Sequence, residues 1–148
     1  MQTITAKLPT LARVLLGLAF FVFGLNGFLG FLPMPAHPAE AGAFLGALGA
    51  TGYMFPLIKG TEVVVGALLL ANRFVPLALA LLAPITVNIV LFHAVLEPPQ
   101  TLVMPAVLLG AHLLLAWTHR AAYRPMLQAR HAPAVSETPA APGALARA

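Results

Sequence analysis

Residues 56–70 read PLIKGTEVVVGALLL, an apolar segment interrupted by one lysine and one glutamate. A charged side chain near the centre of a bilayer costs at least about 2.5 to 3.5 kcal/mol, so each charge in such a helix needs a partner, water or a route to the interface. Lys59 and Glu62 are three residues apart and therefore share one helical face, where an ion pair lowers the cost of both. We expect a membrane-spanning helix over residues 53–71 with this pair buried in it.

The composition of the whole chain agrees with a membrane protein. Of its 148 residues, 60% are hydrophobic and 8% are charged, and the mean hydropathy is +0.92, whereas about a quarter of the residues in soluble domains are charged. The absence of cysteine excludes disulfides, thiolate metal sites and dithiol relays, so any redox chemistry would need a bound cofactor. The net charge of +4 comes from basic residues that flank apolar runs, which argues against nucleic acid as a partner.

Four apolar runs are long enough, at 1.5 Å per residue, to approach or cross a hydrocarbon core of about 30 Å. They cover residues 11–32, 53–71, 74–96 and 102–118. Between the first two runs, a proline-rich stretch precedes small and apolar residues, which predicts a short interfacial helix. The fold class is therefore an all-α bundle of four transmembrane helices within residues 1–130, followed by a disordered Ala- and Pro-rich tail over 131–148.

The first run could also be a cleaved signal peptide. Lys7 and Arg13 precede most of it, and Ala39-Glu40-Ala41 offers a small-x-small cleavage site. The apolar core of a signal peptide is about 7 to 15 residues long, however, and this run is longer. We interpret it as the first span.

The basic residues predict the orientation of these spans. They lie in the two terminal segments and in the turn between the second and third runs: Lys7, Arg13, Arg73, Arg120, Arg124, Arg130 and Arg147. Residues 33–52 and 97–101 contain no lysine or arginine. Because cytoplasmic loops carry the excess of Lys and Arg, both termini are expected to face the cytoplasm.

Six polar side chains within the apolar runs are the candidate ligand-binding residues: Asn26, Lys59, Glu62, Asn88, His93 and His112. Counted along ideal helices from the outer ends of the spans, all six lie about 5 to 15 Å deep, in the outer half or near the midplane. They predict a polar pocket that opens toward the outside. Glu62 is too short to reach the interface, so it is the central candidate, whereas the longer Lys59 can extend to water.

The two histidines admit other functions. His93 and His112 could ligate a haem iron, but their depths differ by about 10 Å, which argues against this cofactor. His112 could instead pair with Glu62 in a proton relay, or form a helix contact. The sequence contains no phosphate-binding loop, nucleophile elbow or metalloprotease helix. We assign no catalytic residue and no metal site, and expect a membrane subunit rather than a stand-alone enzyme.

The chain also resembles the DoxX family of small four-helix bacterial membrane proteins over residues 11–127. The resemblance rests on RVLLGLAFFVFGLNGFLGFLPMP, GYMFPLIKGTEVVVGALLLANRFVPLAL, PITVNIVLFH and AWTHRAAYRPML, and on the Glu62-x-x-x-Gly66 step. Many relatives have a lysine shortly after the glycine that corresponds to Gly24. This chain has Asn26 and Gly27 there, and Lys59 on the second span offers the positive charge instead.

The resemblance implies a redox-associated accessory subunit of the bacterial inner membrane, with redox-enzyme subunits or a second copy as partners and a quinone as the candidate ligand. A small permease or proton-coupled carrier that uses Glu62 and His112 is one alternative function. A structural scaffold for a membrane complex, without ligand chemistry, is another.

Overall fold

A computed structural model describes residues 2–33 and 36–129 of the chain, and the predicted tail over 131–148 lies outside them. The expectation of an all-α fold is confirmed for the part described. Two 3₁₀ turns, Pro99–Leu102 and Pro125–Leu127, accompany six helices: α1 (Gln2–Leu29), α2 (Ala39–Ala50), α3 (Met54–Leu70), α4 (Val75–Val95), α5 (Val103–Thr118) and α6 (Arg120–Tyr123).

The long helices form a bundle in which α1 packs on α3 and α5, and α4 packs on α3 and α5. Three segments, 7–29, 75–95 and 99–118, are long and apolar enough to cross a membrane, and α2 with α3 forms a fourth if that bent pair counts as one span. These helices are compatible with a multi-pass membrane protein. The four predicted runs therefore correspond to α1, α3, α4 and α5.

The short helix predicted between the first two runs is present as α2. It meets α3 at an angle of 92°, and Ala41 is its one buried residue. We call the end of the bundle that carries α2 the α2 end, and the opposite end, where Arg13 lies, the Arg13 end. The location of α2 at a membrane surface stays a prediction.

The first helix ends three residues before the predicted boundary at Leu32. Gly30 adopts a φ of +60°, a left-handed conformation that glycine reaches without a Cβ clash and that commonly ends helices. Its N–H donates to the Asn26 carbonyl at 2.8 Å. Apolar composition alone could not reveal this stop, because residues 30–32 are as apolar as the helix they follow.

The connection between α3 and α4 is closed by backbone hydrogen bonds. Asn72 has a φ of 55°, and the N–H groups of Asn72 and Arg73 donate to the carbonyls of Leu69 and Leu68. This is a Schellman ending with asparagine in the left-handed position. The guanidinium of Arg13, on α1, donates to the carbonyls of Leu69 and Leu70, so a cation sits at the negative end of α3.

Glycines bring α1 and α3 together. A Cβ at Gly66 would lie 2.5 Å from the backbone nitrogen of Phe21, and one at Gly24 would lie 2.9 Å from that of Val63. Gly17 faces the Gly66 carbonyl in the same way, at 3.2 Å. Small residues that permit such close backbone approach are the usual means of helix association in membranes.

Larger side chains fill the rest of the bundle. Five leucines are almost inaccessible and come from all four long helices: Leu16, Leu69, Leu79, Leu82 and Leu115. At the Arg13 end, the Tyr123 hydroxyl donates to the Pro76 carbonyl at 2.9 Å and ties α6 to the first turn of α4. Burial raises the pKa of Tyr123 above its ordinary value of 10.0, so the phenol remains protonated and able to donate.

Candidate functional site

The ion pair expected from the spacing of Lys59 and Glu62 is present. Lys59 Nζ lies 2.9 Å from Glu62 Oε2. The carboxylate is buried, with 2% of its side chain exposed, while 21% of the lysine side chain is accessible. Lys59 Nζ also lies 5.7 Å from the centre of the Phe55 ring, within the range of a cation–π contact. The lysine therefore connects a buried carboxylate with the α2 end.

The backbone of α1 packs directly against this pair. A Cβ at Gly27 would lie 2.5 Å from both Cγ and Cδ of Lys59, and a Cβ at Gly24 would lie 3.0 Å from the Cβ of Glu62. The methylene stem of Lys59 thus lies across Gly27 in the space that a side chain would occupy. The glycines that allow α1 to approach α3 also leave the space in which the Lys59 side chain lies.

One oxygen of the carboxylate retains capacity for a further hydrogen bond. Oε2 accepts from Lys59, and within residues 2–33 and 36–129 no hydrogen bond reaches Oε1. In that same part of the chain no fully buried side-chain oxygen lacks a partner, so Oε1 must keep some accessible surface. A carboxylate oxygen can accept two hydrogen bonds. The site therefore offers one acceptor at Glu62 beside a cationic donor at Lys59.

Asn26 lies on α1 one turn before its end and is also buried. Its Oδ1 accepts a hydrogen bond from the Leu32 N–H at 2.6 Å, and its Nδ2 lies 3.5 Å from the Leu32 carbonyl. The side chain thus binds the segment that leaves α1. Sequence reasoning assigned Asn26 to a ligand, and the structure gives it this contact with the backbone.

His112 belongs to a second buried polar contact. Its Nδ1 lies 3.1 Å from the Thr86 hydroxyl, between α5 and α4. The partner of Glu62 is Lys59 and that of His112 is Thr86. The sequence analysis considered a Glu62–His112 pair, and it did not predict the contact between His112 and Thr86.

The remaining two candidates, both on α4, have different surroundings. His93 is half-buried, its Nδ1 lies 2.8 Å from the Ile89 carbonyl, and its ring contacts Phe92 edge-on. Asn88 is exposed on the outer face of the bundle. No hydrogen bond from the described residues reaches its amide. Asn88 therefore does not face the bundle interior, where the ion pair lies.

A contact that sequence reasoning missed closes the α2 end. His37 Nδ1 lies 2.6 Å from Glu97 Oε1, and 7% of the glutamate side chain is exposed. The ring of Phe92 packs against both His37 and Phe44, so the segment before α2, α2 itself and the end of α4 are joined. The two polar residues are 60 positions apart and lie in separate loops, so no spacing rule connects them.

Within residues 2–33 and 36–129, no group of three or more His, Asp or Glu side chains could hold a metal ion. Comparison of the sequence with protein-family models, with curated proteins and with solved structures found no match. The chemistry of the Lys59–Glu62 pair is consequently the basis for a functional proposal.

Proposed function

We propose that the chain is a multi-pass accessory subunit of a bacterial inner membrane and that Lys59 and Glu62 bind a small polar or lipophilic ligand. The observation that carries the proposal is a buried carboxylate with one oxygen bound to Lys59 and the other without a hydrogen bond from the described residues. Ionisable residues inside membrane helices are costly, and they commonly mark ligand or ion sites.

A quinone is the ligand class that fits these two groups. Its carbonyl oxygen can accept a hydrogen bond from the Lys59 ammonium, and the hydroxyl of the reduced form can donate to Glu62 Oε1. The apolar ring would lie near Phe55, whose own ring centre is 5.7 Å from Lys59 Nζ. The chain itself contributes binding and orientation, and the electrons are exchanged by partner redox subunits.

The proposed orientation has both termini in the cytoplasm. In the described part of the chain, the basic residues of the Arg13 end are Lys7, Arg13, Arg73, Arg120 and Arg124. The α2 end carries Glu40 and Glu97 and, apart from the paired Lys59, no lysine or arginine among the described residues. The positive-inside rule favours the cytoplasm for the Arg13 end, so the ligand would reach Lys59 from the opposite side.

Quinone binding tests the proposal directly. Wild-type protein in nanodiscs is titrated with a short-chain ubiquinone, in oxidised and reduced forms, and the bound fraction is measured after rapid filtration. Glu62→Gln should weaken binding of the reduced form at least 10-fold, and Lys59→Met should weaken both forms. Glu40→Gln is the matched control, since Glu40 is exposed on α2. Binding that is absent in the wild type or equal in all variants would reject the quinone site.

A scaffold is the second candidate function, and the close fit of Glu62 and Lys59 against Gly24 and Gly27 favours it. In that case the wild type binds no quinone, and Glu62→Gln lowers thermal stability and recovery of partner subunits together. A proton-coupled carrier requires Glu62-dependent flux in proteoliposomes. His112 lies against Thr86 rather than Glu62, so the structure offers this carrier no direct relay.

A further inference from the structure

The outer face of α4 has a regular apolar stripe. Its six members follow the spacing 4-3-4-3-4 and are all exposed: Leu77, Leu81, Pro84, Asn88, Leu91 and Val95. At 100° per residue they lie within about 40° of one line along the helix. The buried residues Leu82 and Thr86 lie on the opposite face. This spacing is the heptad pattern by which two helices pack along a common seam.

Asn88 is the polar member of this stripe. It lies seven residues before the end of α4, which places it about 10 Å along the axis from Val95. No hydrogen bond from the described residues reaches its amide, although its helix is apolar enough to cross a membrane. Lipid tails offer an amide no hydrogen bonds, so its environment is favourable only when another polar group covers it.

We propose that a second copy of this chain covers the stripe, with α4 packed against α4 of the partner and Asn88 hydrogen-bonded to Asn88 of the partner subunit. Two copies inserted in the same orientation are related by a two-fold axis along the membrane normal. Residues at equal depth then meet across that axis. An amide has both donors and an acceptor, so it can pair with its own copy.

The pattern favours this occupant over an unrelated helix or a lipid. A single asparagine within an apolar heptad seam fixes register and favours a defined oligomer. A lipid headgroup would meet Asn88 near the interface, whereas Asn88 lies about 10 Å from the helix end. The inference rests on the proposed membrane insertion but not on the ligand site, because Asn88 faces away from Lys59 and Glu62.

Disulfide cross-linking in native membranes tests the seam, and the natural chain contains no cysteine to interfere. Single variants Leu81→Cys, Asn88→Cys and Leu91→Cys are oxidised with copper phenanthroline. Each should yield a covalent dimer, because disulfides need Cα atoms within about 7 Å. Val64→Cys on α3 and Val107→Cys on α5 are matched controls with 57% and 52% exposure, and they should remain monomeric. Resistance to alkaline extraction verifies membrane insertion separately.

The role of the amide is tested by Asn88→Leu and Asn88→Gln. Interhelical hydrogen bonds in membranes are modest, so Asn88→Leu should weaken dimerisation about 3- to 30-fold in a dilution series followed by energy transfer between labelled copies. Asn88→Gln should retain much of the affinity. A wild type that is monomeric at all densities overturns the proposal, as do cross-links that favour the control positions or join Asn88→Cys to a different protein. Ligand binding at Lys59 and Glu62 is measured in a separate assay that does not depend on the dimerisation results.

Discussion

The two helix pairs that hold polar groups, α1 with α3 and α4 with α5, are packed by different means. Four glycines line the first contact, and a Cβ added at any of them would lie 3.0 Å or less from a neighbouring atom. In the second pair, Gly110 of α5 is exposed with open space around it, and leucines such as Leu82 and Leu115 contribute to the buried core. The first pair contains an ion pair, and the second contains the Thr86–His112 hydrogen bond.

In this bundle, the charged pair lies where glycines bring two helix backbones together. Glycines let two backbones approach, and the methylene stem of Lys59 then lies flat against Gly27 while its ammonium meets Glu62. Between α4 and α5 no glycine contact of this kind is found among the described residues, and an imidazole and a hydroxyl meet there. The charged pair is therefore tied to the glycine contact, and three substitutions examine that connection.

Gly66→Ala should produce the largest effect. Its new Cβ would lie 2.5 Å from the Phe21 nitrogen, and backbone cannot move aside as a flexible side chain can, so α1 and α3 must separate. We expect a loss of about 3 kcal/mol or more of folding free energy, at the upper end for overpacked sites. Reversible unfolding in mixed detergent and SDS micelles measures this loss. Gly110→Ala is the control, because the space around Gly110 is open. An equal loss of folding free energy in the two variants would contradict the proposed difference in packing between the two helix pairs.

Lys59→Met should have the next largest effect because it leaves the Glu62 carboxylate buried without its cation. Breaking a buried ion pair costs about 3 to 5 kcal/mol, but Glu62 can take up a proton, so we expect about 2 to 3 kcal/mol. The double variant Lys59→Met with Glu62→Gln should recover part of the loss. The same unfolding assay compares them, and a double variant no more stable than Lys59→Met would show that packing of the lysine stem, rather than charge, dominates.

Thr86→Val should have the smallest effect of the three. It removes the hydroxyl that contacts His112 and preserves the shape of the side chain, and an interhelical hydrogen bond of this kind contributes about 0.6 to 1.7 kcal/mol. Unfolding measurements on Thr86→Val give the size of this loss of folding free energy. Thr61→Val, on the α3 surface, is the control. A loss as large as that of Lys59→Met would mean that the Thr86–His112 contact stabilises the bundle as much as the Lys59–Glu62 pair does.

The sequence predicted the parts of the site that depend on neighbours within one helix. The Lys59–Glu62 pair follows from a three-residue spacing and the cost of isolated charge in an apolar segment. Asn26, Asn88 and His93 were grouped with it by depth alone. Depth along a helix does not specify the face on which a residue lies, and the structure places Asn88 outside, Asn26 against Leu32 and His93 against its own helix.

The sequence by itself determined the helical class, the approximate positions of the apolar helices, the short helix before α3 and the presence of the ion pair. Composition and local spacing are sufficient for these because each depends on residues a few positions apart. Only the tertiary structure decided that Gly24 and Gly27 pack against Glu62 and Lys59. It also decided that Thr86 contacts His112 and that His37 contacts Glu97. Such contacts join distant positions, and they depend on the rotation and separation of whole helices, which no local pattern of residues specifies.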